Sequence, residues 1–223
     1  MRQKPKIKSF IKWHHHEVRS ELGYRFIEDA PALRSWIDVP LVPFRYPELV
    51  EEQRERLRLF HTDWNETELG FQFIGPLLQL VAFQSAGYNS FQERMLRAEV
   101  DGWQVEGVVD WMTAIGSFRP EIPIFFLHEY KKTKNAQADP EGQLLIAMVA
   151  AQRLNADGQP LYGCYVIGKF WHFVLLEGQT YSVSQGYDAT DAGELRIIWS
   201  VLVHTKQLIE ERVRQILERE ATT

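Results

Sequence analysis

Two alternating runs, FQERMLRAEV at 91–100 and WQVEGVVDWM at 103–112, flank the pair Asp101-Gly102. Alternation sends successive side chains to opposite faces of a strand, and Asp-Gly tolerates the positive φ of a tight turn, so the pattern predicts a hairpin. The next run, IPIFFLHEYKK at 122–132, is apolar without alternation, as a central strand covered on both faces would be. A second hairpin is predicted over PLYGCYVIG (160–168) and KFWHFVLLEG (169–178), with TYSVSQGY (180–187) as an edge strand and YRFIED (24–29) as a short early strand.

Helical spacing marks four other segments. PELVEEQRERLRLF (47–60) opens on a proline suited to a first turn. WNETELGFQFIGPLLQLVAF (64–83) has Asn65 as N-cap, and Pro76 inside it predicts a kink or a division. QLLIAMVAAQRL (143–154) follows Asp139 as N-cap and Pro140 as first residue; DAGELRIIWSVLVHTKQLIEERVRQILERE (191–220) is capped by Asp191. The order is helix, three strands, helix, two or three strands, helix. With no repeat or linker, this reads as one α/β domain: an N-terminal elaboration over 1–64, a core over 65–177, and an edge strand with a long helix over 178–223. The apolar positions of that last helix, Leu195, Ile198, Leu202, Ile209, Val213 and Ile216, serve either the chain's own core, the use read first here, or a homodimer.

Composition narrows the class. A net charge of −5 argues against a uniformly basic nucleic-acid coat and leaves room for a local basic groove. The single cysteine, Cys164, allows no internal disulfide, and no apolar run reaches membrane-span length. The first 13 residues hold five basic and no acidic residues with no apolar signal region after them, so a cytoplasmic protein without membrane contact is expected.

The chemistry gathers at the end of the apolar strand. Glu129 and Lys131 are two apart and share a face, roughly 6–7 Å apart along the strand. If 103–112 and 122–132 are neighbours, Asp110 reaches Glu129. Two adjacent carboxylates repel, and a divalent cation relieves that repulsion; Mg²⁺ favours a few carboxylate oxygens. A lysine beside such an ion suits phosphodiester hydrolysis. The plainer reading is an ion pair at a strand end, worth little.

Asp110 followed by Glu129-Tyr130-Lys131 after an apolar strand resembles the PD-(D/E)xK (restriction-endonuclease-like) nuclease superfamily. NETELGFQFIGPLL and LYGCYVIGKFWHF are similar to segments of the N-terminal nuclease domain of type I restriction motor subunits. The resemblance spans about 65–177 and implies a core of helix, three strands, helix and strand. It implies Mg²⁺ or Mn²⁺ held by Asp110 and Glu129 with the Tyr130 carbonyl, and Lys131 supporting the attacking water. It adds a glutamate from the first helix, Glu68 first and Glu66 second, and Gln143 from the helix after the strand. Val109 stands where the motif's proline would be, and Ala147 where an aromatic sometimes follows the glutamine. An acid-x-Lys triplet alone is weak, since about one is expected by chance; this chain's one triplet falls at the end of its most apolar strand.

Other residues take plainer readings. Consecutive side chains diverge, so His14, His15 and His16 are read as solvated or packed. His128 opposes Glu129 in phase and is read as packed, Cys164 as a small buried residue, and Trp103, Trp111, Trp171 and Trp199 as core or sheet-face residues. Lys132, Lys134 and the N-terminal lysines are read first as solvated charge, with phosphate contact second. The expected function is a divalent-metal-dependent nuclease acting on DNA or RNA; the alternative is an inert nuclease-fold module that binds nucleic acid or a protein partner.

Overall fold

The computed structural model describes residues 5–131 and 139–220. The Asp-Gly turn forms as its residue types require: Asp101 and Gly102 have φ of 46° and 84°, and they join β3 (Asn89–Val100) to β4 (Trp103–Ile115) with Val100 opposite Trp103. β5 (Glu121–Lys131) lies antiparallel to the far half of β4, and β6 (Leu161–Ile167) lies parallel to β5. The connection between those parallel strands carries α6 (Pro140–Asn155). Asp139 caps α6 by accepting from the Gly142 amide, as its place before Pro140 predicts. The second hairpin is β6 with β7 (Phe170–Glu177).

Among the described residues the sheet is mixed and nine-stranded. Along its main path the order is β1 (Lys6–Ser9), β4, β5, β6, β7, β8 (Thr180–Val183) and β2 (Arg25–Phe26), with β3 also on β4 and β9 (Tyr187–Asp188) also on β7. The segment expected as one edge strand over 180–187 is two, β8 (Thr180–Val183) and β9 (Tyr187–Asp188), and β8 is flanked on its outer side by β2 (Arg25–Phe26). The N-terminal stretch carries more structure than the sequence disclosed. β1 (Lys6–Ser9) pairs with β4, α1 (His15–Leu22) packs on α6, and α2 (Pro31–Ile37) packs on the C-terminal helix α7 (Ala192–Glu220).

Helices cover both faces of the sheet. On one face α6 is buried from Gln143 to Ala151, and its core includes Leu127, Met112 and Val109. A helix apolar all round needs cover on its outer side too, and α1 supplies it. On the other face α3 (Pro47–Phe60), α5 (Gly75–Val81) and α7 contribute to a core with Trp111, Phe125, Phe126 and Trp171. β5, buried from Ile124 to Tyr130, is the central strand its composition predicts. α7 spends Leu195, Ile198, Leu202, Ile209 and Val213 on this core. No helix among the described residues is long and apolar enough to cross a membrane.

The helix expected over 64–83 runs as α4 (Glu66–Leu69), a π-helical segment over Gly70–Ile74, and α5. Pro76 explains the change. A proline ring conflicts with the carbonyl one turn earlier, and widening the preceding turn relieves the conflict without a break. The Gly75 amide accordingly donates to the Gly70 carbonyl.

Candidate functional site

β4 changes partner along one edge. Lys6–Ser9 of β1 pair with residues 103–106, and β5 takes over from Trp111, which lies opposite His128. Asp110 stands at this fork. Extended by one position, the β4–β5 register puts Asp110 opposite Glu129, but the bonding there is different. The Tyr130 amide donates to Asp110 Oδ2 at 2.7 Å, so a side chain takes a hydrogen bond that a backbone carbonyl would otherwise accept. The sheet is thereby held open where the carboxylates meet.

The phase of β5 decides the rest. Leu127 belongs to the α6-side core, while His128 packs among the rings of Trp111, Phe126, Tyr130 and Trp171 on the other side. Glu129 and Lys131 follow Leu127 in phase, and Lys131 Nζ reaches Glu129 Oε1 at 2.6 Å. The ammonium also donates to the Tyr130 carbonyl at 2.9 Å and to Glu66 Oε1 at 3.0 Å. The strand-end ion pair therefore exists, but it is not a surface pair: Glu129 is 3% exposed. Burial makes such a pair a costly arrangement rather than a decorative one.

The sequence favoured Glu68 over Glu66, and the structure places them the other way round. Glu68 Oε2 accepts from the Asn65 amide at 2.7 Å while Asn65 Oδ1 accepts from the Glu68 amide at 2.9 Å, a reciprocal cap that turns Glu68 toward its own helix start. Glu66 is left to reach Lys131. Gln143 is buried in the first turn of α6, the helix covering the face of the sheet that carries Leu127; like Glu129 and Lys131, it is not among the residues lining the cleft in front of Asp110. Lys132 and Lys134 lie outside the described residues. Of the N-terminal lysines, Lys8 bonds Glu17 at 2.7 Å and Lys6 sits over the Trp103 ring, so both serve the fold.

One residue was missed. Glu93 lies opposite Asp110 in the β3–β4 register, between the pairs Gln92–Trp111 and Arg94–Val109, and has φ of 51°. Left-handed backbone at a non-glycine residue carries strain of about 1–3 kcal/mol. The signal was present in the sequence: once Asp101-Gly102 is placed as a two-residue turn, counting outward sets Glu93 against Asp110.

No protein-family model and no curated protein matches this chain. The chemistry of the site must be read from its own residues.

Two carboxylates, Glu129 and Glu66, bond the Lys131 ammonium, Asp110 stands opposite Glu129 on the Tyr130 amide, and Glu93 lies beyond Asp110. Burial pushes the Asp110 carboxyl up to about 6, against the pull of the Tyr130 amide and Lys131; the charges of Glu66 and Glu93 add to the rise. Burial raises Glu129 too, and the Asp110 charge adds to it while Lys131 opposes. For Lys131 burial works the other way, but Glu129 and Glu66 outweigh it and hold the ammonium above the usual lysine range. Among the described residues the cluster thus has more negative charge than its one cation, Lys131, balances. Among the described residues no three His, Cys, Asp or Glu side chains are arranged as a ready metal cage. The oxygens are gathered on the ammonium instead. As donors, carboxylates and a backbone carbonyl are hard oxygen ligands that fit Mg²⁺ or Mn²⁺ and not thiolate-seeking metals. His128 is fully buried and its ring is pushed down to about 3, which keeps it neutral and in a packing role.

A cleft of about 650 Å³ opens in front of these acids. Its walls come from α3, the turn from α4 to α5, and the β3–β4 hairpin, and Glu66, Glu93, Asp110 and Tyr130 line its acidic end.

Proposed function

We propose that this chain is a divalent-metal-dependent nuclease of the PD-(D/E)xK type, with a restriction-endonuclease-like core over about 65–177. The observation that carries the reading is the fork at Asp110. A carboxylate is wedged between two strands opposite a second, buried carboxylate, and the lysine two residues on donates to that second carboxylate.

Asp110, Glu129 and the Tyr130 carbonyl would hold Mg²⁺ or Mn²⁺, which when bound supplies Lewis-acid polarisation of a phosphate and a more acidic water. The chain's own residues do the rest. The Tyr130 amide orients Asp110 through Oδ2. Glu66 holds Lys131 from the helix side, and the ammonium would orient a water and balance charge arriving with a phosphate. Burial of Glu129 keeps bulk water from competing for its oxygens.

The inert-module alternative rests on one observation of its own: Lys131 already neutralises part of the cluster. The experiment compares wild type and Lys131→Ala by calorimetric titration with Mg²⁺ and Mn²⁺, and by cleavage of single- and double-stranded DNA and RNA. Wild type is expected to bind the ion and cut at least one substrate. Lys131→Ala is expected to bind as well or slightly better, because a repulsive charge is gone, while cleavage falls about 10²–10⁴-fold. Ion binding without cleavage selects the inert module; no binding of either ion overturns the metal mechanism.

A further inference from the structure

The cleft continues past its acidic end, and that part of its lining is of a different kind. Phe71, on the π-helical turn, is 78% exposed although it lines a concavity. Around it stand the amides of Gln53, Gln72, Gln79 and Gln92, and one cation, Arg56, whose guanidinium donates to Gln72 Oε1. Gln53 adds a sharper feature: its Oε1 is buried and accepts no hydrogen bond among the described residues. Buried acceptors without a donor are uncommon and destabilising, so a turn of this cleft-lining side chain that brought the oxygen to a ligand donor would be favourable.

These features select a chemistry. A duplex backbone needs a lane of cations, and Arg56 is the one cation among the described lining residues. A nucleobase needs an aromatic face to stack on and amides to meet its edge. The volume also suits a single base, since the cleft falls within the ~300–1,000 Å³ typical of small-ligand sites.

We propose that the cleft receives one unstacked nucleobase of a single-stranded or locally opened nucleic acid, its face on Phe71 and a ring or exocyclic N–H on Gln53 Oε1. This rests on the nuclease reading only for what lies at the acidic end, where the adjoining phosphate would be placed. Every base offers at least one N–H on its pairing edge, so the contact with Gln53 is sequence-tolerant. A paired base presents that edge to its partner strand and is excluded. The protein therefore selects unpaired nucleotides.

The test measures binding with Ca²⁺ in place of Mg²⁺. The probe is a short mixed-sequence DNA strand carrying one 2-aminopurine, together with its RNA counterpart, its hairpin duplex and a strand abasic at the probe position. Wild type is expected to bind the single strands more tightly than the duplex and to quench the 2-aminopurine by stacking. Phe71→Ala should weaken single-strand binding about 5- to 150-fold and abolish the quench, and Phe71→Trp should restore both. Gln53→Met, which removes the acceptor at similar size, should weaken binding about 2- to 12-fold. The abasic strand should not distinguish Phe71→Ala from wild type. Duplex binding as tight as single-strand binding, or a quench that survives Phe71→Ala, overturns the proposal. Because the readout needs no cleavage, the two readings separate. Phe71-dependent binding by a protein that cuts nothing retires the nuclease and keeps the base site, and cleavage indifferent to Phe71 does the reverse.

Discussion

Two half-buried aspartates, Asp139 at the start of α6 and Asp110 beside the end of β5, are held in opposite ways. Asp139 accepts from the His15 amide at 2.8 Å, from the Gly142 amide at 3.0 Å, and lies 2.7 Å from His15 Nδ1. Burial would raise its carboxyl, yet these donors outweigh burial and bring it below the usual aspartate value. Asp110 has the Tyr130 amide, but burial lifts its carboxyl and the charges of Glu66 and Glu93 add to the rise. The residue type is the same and the neighbourhood decides. A carboxylate surrounded by donors is part of the scaffold, and a carboxylate set among other carboxylates carries charge that those neighbours do not balance.

The strongest way to break that contrast is to supply the cation. At Mg²⁺ a hundredfold above its dissociation constant, wild type should gain about 2.7 kcal/mol of stability, the value mass action requires for one site. Asp110→Asn should gain little, and without the ion it should be as stable as wild type or more so, by on the order of 1 kcal/mol, because a buried like charge has been removed. Urea denaturation with and without Mg²⁺ measures both effects. An equal Mg²⁺ gain in wild type and Asp110→Asn would remove Asp110 from the metal site.

Asp139 should give the opposite sign. Asp139→Ala is expected to destabilise by about 0.5–2 kcal/mol, the range for lost helix N-caps, with no dependence on Mg²⁺. The pH direction follows from the depressed carboxyl. A group whose pKa is lower folded than unfolded contributes fully above its unfolded value, about 3.9, and loses that contribution as pH falls through the folded value. The gap between wild type and Asp139→Ala should therefore be widest near neutral pH and close in acid. A gap that widened in acid would show that the Asp139 charge is not what holds the cap.

Local signals were legible where one residue type does one job. Asp101-Gly102, Asp139 before Pro140 and Asp191 at the start of α7 each fixed an element end; Asp191 Oδ1 accepts from the Gly193 and Glu194 amides at 2.9 Å. The shared phase of Glu129 and Lys131 was legible for the same reason, since a strand's period of two needs no tertiary information. The fork was not. β1 is a four-residue strand whose partner lies about a hundred residues away, and nothing in KIKS announces that it stops where β5 begins. The cleft lining beyond the acids was equally hidden: Phe71 and Gln53 read as helix-face residues until α3 and the π-helical turn face each other. Glu68 illustrates a signal that was present and misassigned. Asn65 followed by Glu68 three residues on is the spacing of a reciprocal cap, so the stronger local interaction claimed the residue that had been assigned to the site.

That competition yields the smallest expected effect and the finest division between scaffold and site. Glu66 and Glu68 lie two apart in one short helix, so the same alanine substitution perturbs helix propensity nearly equally at both. What differs is what each carboxylate holds. Glu68→Ala removes the acceptor of the Asn65 amide and should lower stability by about 0.5 kcal/mol, the low end for a hydrogen bond at an exposed position, leaving Mg²⁺ affinity unchanged. Glu66→Ala removes a half-exposed partner of Lys131, and its effect on ion-free stability should stay within about 0.5 kcal/mol of zero. Its consequence should fall on the site instead: without Glu66 the ammonium keeps, among the described residues, Glu129 and the Tyr130 carbonyl, so Mg²⁺ meets a changed cluster charge and its affinity shifts. Calorimetric titration and urea denaturation of the two variants side by side decide the matter. Were Glu68→Ala to change Mg²⁺ affinity while Glu66→Ala left it alone, the side chains would exchange roles in solution and the original preference for Glu68 would stand.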